Sequence, residues 1–131
     1  MEWSMKRYLL DTNILIYYFQ GQHKAKQFVE KIVAENSLLF YSFITRLELL
    51  ALPGLSDASI QQIDEFLNEL FRIDYNFEIE EKVLEIRKHK KVKLPDAIIA
   101  ATALYTSSTL VTRNKKDFRG IKGLKVVNPI D

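Results

Sequence analysis

Three acidic side chains in this chain stand alone in apolar surroundings. Asp11, within YLLDTNILIYYF, is the only charge between Arg7 and Lys24 when His23 is neutral. Glu48, within LELLAL, is the only charge between Arg46 and Asp57, and Asp96, within LPDAIIAATALY, is the only one between Lys93 and Arg113. An isolated carboxylate is very costly to bury, so it must be paired, hydrogen-bonded or metal-bound. Each acid has an ordinary explanation taken singly. Asp11 or Thr12 can cap the helix that follows. Glu48 can pair with Arg46, and Asp96 can complement the start of its own helix. Three such acids together favour one shared cation over three unrelated accommodations.

The donor set narrows that cation. There is no cysteine, and His23 and His89 lie far from the acids in sequence. Ligands that are all oxygen suit Mg²⁺ or Mn²⁺ rather than Zn²⁺. Acid clusters holding such ions suit phosphodiester cleavage, where the ion activates water and offsets phosphate charge. If four of the 17 acids gather at one site, 13 remain elsewhere against 19 Lys and Arg. The basic groups RKHKKVK (Arg87 to Lys93) and TRNKK (Thr112 to Lys116) adjoin the acid-bearing segments. That suits a polyanion running past the site, although a basic run also serves simply as a solvated helix end.

These side chains need a scaffold. KRYLL, ending at Asp11, reads as a strand, and so do SLLFYSF, FRIDY, TLVT and LKVVN. AKQFVEKIVAEN places Ala25, Phe28, Val29, Ile32 and Val33 at helical spacing. ITRLELLAL reads as a short helix ending at Pro53-Gly54. SDASIQQIDEFLNEL has a Ser/Asp start signal and puts Ile60, Ile63, Phe66, Leu67 and Leu70 on one face. Asn76 caps a helix with Glu78, Glu80 and Glu81 near its start and RKHKK at its end, as the helix dipole favours. Leu94-Pro95-Asp96 opens another helix. Strands alternating with helices imply an α/β fold with a central parallel sheet covered on both faces. In such sheets ligands sit beyond the carboxyl ends of the strands, at the switch point, which is where Asp11 falls.

Length and composition are consistent with this. The 131 residues suit one domain spanning 1–131, with a 47% hydrophobic content that can build a core without disulfides. No apolar run approaches the roughly 20 residues of a membrane span. The opening MEWSMKR lacks a signal-peptide core, so no membrane association and a cytoplasmic location are expected.

The ordered motifs LLDTNILIY, ITRLEL, LPDAIIAATAL and LVTRNKKDF, closing on GLKVVNP, resemble the PIN-domain ribonucleases, and most of all the VapC-type toxins of toxin–antitoxin pairs. The similarity runs from about Met5 to Pro129. It implies a three-layer α/β/α fold and a Mg²⁺- or Mn²⁺-dependent endoribonuclease. It also implies that Asp11, Glu48 and Asp96 are metal ligands, directly or through water, and that one or more of them orients the attacking water. Thr12, Asn13, Thr112 and Asn114 match polar positions that support the site. The fourth acid is assigned to Asp117, in T-x-N-x-x-D-F, with Asn114 as a neutral neighbour; a surface ion pair of Asp117 with Lys116 or Arg119 is the alternative. An amide at position 114 favours one ordered ion over two. From charge alone, Arg113 and Lys115 or Lys116 are candidates to hold RNA phosphate. The family further implies a homodimer and a small antitoxin whose tail covers the acidic groove. The apolar stretches Ile14 to Phe19 and Ile60 to Phe71 are candidate surfaces for these partners, with core packing as the competing role.

Two rival readings differ in kind. One is a catalytically inactive PIN-fold RNA-binding module, for which Asn114 gives some room. The other is a phosphorylation-controlled receiver domain with Asp74 in FRIDY as acceptor, but this leaves Glu48 and Asp96 unexplained.

Overall fold

A computed structural model describes residues 5–131; of the opening segment MEWSMKR, residues 1–4 lie outside the described residues. The chain runs β1 (Arg7–Leu10), α1 (Thr12–Phe19), α2 (His23–Ala34), β2 (Leu38–Ser42), α3 (Phe43–Leu50), α4 (Asp57–Leu67), β3 (Phe71–Ile73), α5 (Phe77–His89), α6 (Leu94–Tyr105), β4 (Thr109–Val111) and β5 (Val126–Val127). A 3₁₀ turn, Lys115–Phe118, stands between the last two strands. All strand pairs are parallel, and the spatial order is β3-β2-β1-β4-β5.

The strand sequences explain the layering. Successive strand side chains point to opposite faces. Leu9, Phe40 and Leu110 pack with Ile79, Val83, Ile86 and Ile99 of α5 and α6 on one side. Their neighbours Leu10, Leu39, Tyr41 and Val111 pack with Ile14, Val29, Ile32, Ile63 and Leu67 of α1, α2 and α4 on the other. Strands buried on both faces read as continuous apolar runs, which is why YLL, LLFY and TLV show no polar alternation.

Most helix starts follow their sequence signals. The Ser56 side chain accepts from Ser59 N–H, and Asn76 from Ile79 N–H. Pro95 sits in the first turn of α6, which has no side-chain cap. Several boundaries contract. Phe43, expected in a strand, begins α3, because Ser42 caps that helix through Ile44 N–H. LKVVN yields only Val126 and Val127 as strand. The helix expected to run to Leu70 stops at Leu67, and FRIDY yields only Phe71–Ile73 as strand.

Strand order places the switch point between β1 and β4. From β1 the chain builds outward to β2 and β3, then crosses back to β4 on the other side of β1. Leu10 pairs with Val111, so Asp11 and Thr112 emerge side by side at the carboxyl edge.

Candidate active site

Asp11 is held where β1 turns into α1. Its N–H donates to Val111 O, continuing the sheet ladder, and its backbone is extended. The residue is 7% exposed. Oδ1 accepts from Thr12 N–H at 2.8 Å, so Asp11 itself, not Thr12, is the cap of α1. Oδ2 accepts from the Thr112 hydroxyl at 2.8 Å and from Asn13 Nδ2 at 3.3 Å. These donors are all neutral. Burial pushes the Asp11 carboxyl up to about 6; the bonds from Thr112 and Thr12 pull it back, and the charges of Asp96 and Glu48 push it further up.

The supporting residues lock the switch point. Thr112 is fully buried and accepts from Asn13 Nδ2 at 3.2 Å and from Asn114 N–H at 3.0 Å while donating to Asp11. Asn13 Oδ1 accepts from Arg113 N–H, tying α1 to the loop after β4. Asn114 gives its backbone N–H to Thr112, and its side chain is exposed.

Glu48 reaches the same place from the second turn of α3. Its Oε1 accepts from the Thr12 hydroxyl at 2.6 Å. The alternative partner Arg46 points elsewhere, with Nε and Nη2 on the two oxygens of Asp64 at 2.8 and 3.0 Å. Asp96 lies in the first turn of α6, half-buried, as the helix-start reading expected. That position does not isolate it from the cluster. Its carboxyl is raised by burial first, then by Asp117 and Glu48, while Lys93 pulls it down. Asp117 stands in the exposed 3₁₀ turn within electrostatic reach of Asp96. The alternative, an ion pair of Asp117 with Lys116 or Arg119, does not form among the described residues, where no ion pair within 4 Å involves any of the four acids.

Electrostatics links the acids pairwise: Asp11 feels Asp96 and Glu48, and Asp96 feels Asp117 and Glu48, with Lys93 acting in the opposite sense. Among the described residues no three acidic or histidine side chains close tightly enough to form a ready-made metal cage. The set is all oxygen and like-charged, with Asp11 presented rigidly and Asp117 exposed. Those properties fit an open, water-rich site for a hard cation, of the kind that uses one or two protein carboxylates directly.

Arg113, a phosphate-binding candidate, has partners within the chain. Its guanidinium lies 5.0 Å over the Tyr17 ring, and Nε and Nη2 approach Asp131 at 3.3 and 3.4 Å. Lys115 and Lys116 are exposed at the same edge. Asp74, the receiver-type acceptor, is an exposed partner of Arg72 Nε at 2.6 Å, remote from the acids in character. Of the stretches offered as partner surfaces, Ile14, Leu15, Ile63 and Leu67 are core. Tyr18, Phe19 and Phe66 stack on one another with centroids 4.8 to 5.5 Å apart, and Phe71 is exposed. Thr45 was missed. It is fully buried and meets the Thr12 hydroxyl at 3.1 Å. Its signal was its place three residues before Glu48, on the same helix face.

A parallel three-layer α/β/α fold with acids gathered at its switch point defines a class of protein. The PIN domain family model matches residues 8–124, and the chain belongs to that family. Within it, the chain is similar to Ribonuclease VapC1 of Methanocaldococcus jannaschii, 31% identical over 96% of this chain and 90% of that protein. It is 28% identical to Ribonuclease VapC2 of Rickettsia felis, over 92% of this chain and 96% of the relative. Solved structures agree. A chain of a toxin–antitoxin complex from Klebsiella pneumoniae matches with 39% identity and a TM-score of 0.79, covering 93% of this chain and 97% of its own. VapBC-1 from nontypeable Haemophilus influenzae matches with 26% identity and the same TM-score, over 95% and 99% of the two chains. No helix of the described residues is long and apolar enough to cross a membrane.

Proposed function

We propose that this protein is a Mg²⁺- or Mn²⁺-dependent endoribonuclease and the toxin of a toxin–antitoxin pair. The observation that carries the reading is the buried Asp11 carboxylate, hydrogen-bonded only to neutral donors and facing the charges of Glu48 and Asp96. Such a carboxylate group stays ionised at neutral pH most readily when a cation offsets it. Bound there, Mg²⁺ supplies the positive charge that lowers the pKa of water and balances developing charge on a phosphate. Asp11, Glu48 and Asp96 are the residues that would hold it, with Asp117 at the exposed rim. One or more of Asp11, Glu48 and Asp96 would also orient the attacking water. Thr12, Asn13 and Thr112 keep the buried oxygens fixed, so the site loses little order when it acts. Lys115 and Lys116 offer exposed cations to the RNA backbone at the edge of the site.

The names of the relatives support both halves of the proposal: two are ribonucleases, and the structural matches are toxin–antitoxin complexes. A small antitoxin is accordingly the proposed protein partner, and a homodimer the proposed assembly. The test is RNA cleavage by the purified protein with Mg²⁺, beside Asp11→Asn and a chelator control. Products are expected to carry 5′-phosphate and 3′-hydroxyl ends. Equal cleavage by both proteins, or cleavage indifferent to chelator, overturns the assignment; RNA binding without cleavage identifies the inactive binding module instead.

A further inference from the structure

We propose that Asp131 is a built-in competitor for RNA phosphate: its carboxylate holds the Arg113 guanidinium in the free protein and gives way when the RNA backbone enters. The inference rests on the ribonuclease reading above for its ligand, but not for its geometry. Arg113 follows Thr112, the donor to Asp11, and its own N–H donates to Asn13 Oδ1 at 3.2 Å. Asn13 in turn donates to Asp11 Oδ2. The arginine is therefore tied through its backbone to the buried acid of the site, and its side chain is left to act at the rim. There Nε and Nη2 approach Asp131 Oδ2 and Oδ1 at 3.3 and 3.4 Å. A carboxylate and a phosphodiester present the same two-oxygen fork to a guanidinium, so one takes the place of the other.

Among the described residues this is the loosest arginine–carboxylate pair. Arg46 and Asp64 meet at 2.8 and 3.0 Å, and Arg72 and Asp74 at 2.6 Å. Both Arg113 bonds are longer than charge-assisted pairs usually are. Each partner is nonetheless held in place by other contacts. The guanidinium lies 5.0 Å over the Tyr17 ring, a support that does not involve the carboxylate. The turn after β5 is anchored up to the residue before Asp131. Ile130 is buried in the core beside α1, α2 and α4, and its carbonyl accepts from Lys24 Nζ. Asn128 Oδ1 accepts from Ile130 N–H and Asp131 N–H, while its Nδ2 donates to Arg113 O and Asp131 Oδ2. The Asp131 side chain itself is 59% exposed. Rotation about its own side-chain bonds is enough to free Arg113, and no part of the fold moves with it. The arginine then stays stacked on Tyr17, available to a phosphate.

The experiment is a cycle on the full chain, with Asp11→Asn present throughout so that RNA is bound and not cleaved. Affinity for single-stranded RNA is measured for this parent, for Asp131→Asn, for Arg113→Gln and for the two changes together. Removing the competition of an exposed ion pair is expected to tighten binding about two- to fivefold in Asp131→Asn. Arg113→Gln is expected to weaken binding, and in its background Asp131→Asn should change nothing. Equal tightening in both backgrounds overturns the proposal, because it reduces the effect to a lost surface charge. Unchanged or weaker binding by Asp131→Asn overturns it as well. A second arm needs no RNA. Inorganic phosphate is titrated into the wild-type protein and into Asp131→Asn while the Arg113 Nε–H resonance is followed by NMR. Asp131→Asn should respond at a phosphate concentration about two- to fivefold lower, and identical responses overturn the competition. If no version binds RNA, the ribonuclease reading falls, and the phosphate titration still decides whether Asp131 guards Arg113.

Discussion

The Thr112 hydroxyl donates to Asp11 Oδ2 across 2.8 Å, joining two residues 101 positions apart at the ends of adjacent parallel strands. The bond crosses the switch point of the sheet, and Asn13 Nδ2 and Asn114 N–H join it there. Thr112→Val should remove a hydrogen bond to a charged acceptor, typically worth about 1.5–3 kcal/mol. It should also strand Asn114 N–H and leave Asn13 Nδ2 with Asp11 Oδ2 alone. A loss of this size in urea unfolding at pH 8 is expected, with Thr112→Ser near wild type. A Thr112→Val protein as stable as wild type would show that the bond contributes nothing.

The raised Asp11 pKa makes a pH-dependent prediction. With the folded value near 6 and the ordinary value 3.8, the folded state binds the proton more tightly than the unfolded state. Stability of the metal-free protein from this residue is therefore fully favourable below pH 3.8 and falls as pH rises through 6. Above that, the ionised group costs up to about 3 kcal/mol. Asp11→Asn should be the more stable protein at pH 8, and the difference should shrink as pH falls below 4. Added Mg²⁺ should stabilise wild type and not Asp11→Asn. Chemical unfolding of both proteins across pH 4–8 checks the sign; a gap that widens on acidification contradicts it.

Much of this was legible in the residues themselves. An acid with no other charge near it in sequence marks a place where the fold must do something unusual, and Asp11, Glu48 and Asp96 were found that way. Apolar runs bounded by caps located all five strands and their helices. What sequence could not supply was direction. Nothing local distinguishes Arg46 beside Glu48 from Arg46 beside Asp64, since the second partner comes from α4, 18 residues on. The Arg113 guanidinium likewise met Asp131 and Tyr17, which only the fold brings together. Strand ends were overrun because apolar residues such as Phe43 serve a strand or a helix start equally well. Capping by Ser42 decided between them.

The Arg46–Asp64 pair separates two explanations of Glu48. It is partly exposed on both sides, so its contribution to stability should be under about 1 kcal/mol. If Glu48 depends on Thr12 rather than Arg46, Arg46→Gln should leave RNA cleavage and Mg²⁺ dependence unchanged while costing little in urea unfolding. A large fall in cleavage with stability intact would return Arg46 to the site.

The basic edge gives the last prediction. Lys115 and Lys116 are exposed beside the acids, whereas Arg113 is engaged by Asp131 and Tyr17. Each lysine that neutralises one RNA phosphate should contribute about −0.7 to the slope of log affinity against log salt on single-stranded RNA. The double change Lys115→Gln with Lys116→Gln should therefore make binding weaker at low salt and the slope shallower by up to about 1.4. Asp131→Asn should do the reverse, because it releases the Arg113 guanidinium to a phosphate while leaving its stacking on Tyr17. Filter binding of RNA to Asp11→Asn versions of these proteins measures affinity without cleavage. A slope unchanged by the lysine pair would remove this edge from the RNA path, and a weaker Asp131→Asn complex would assign Arg113 to holding the fold rather than the substrate.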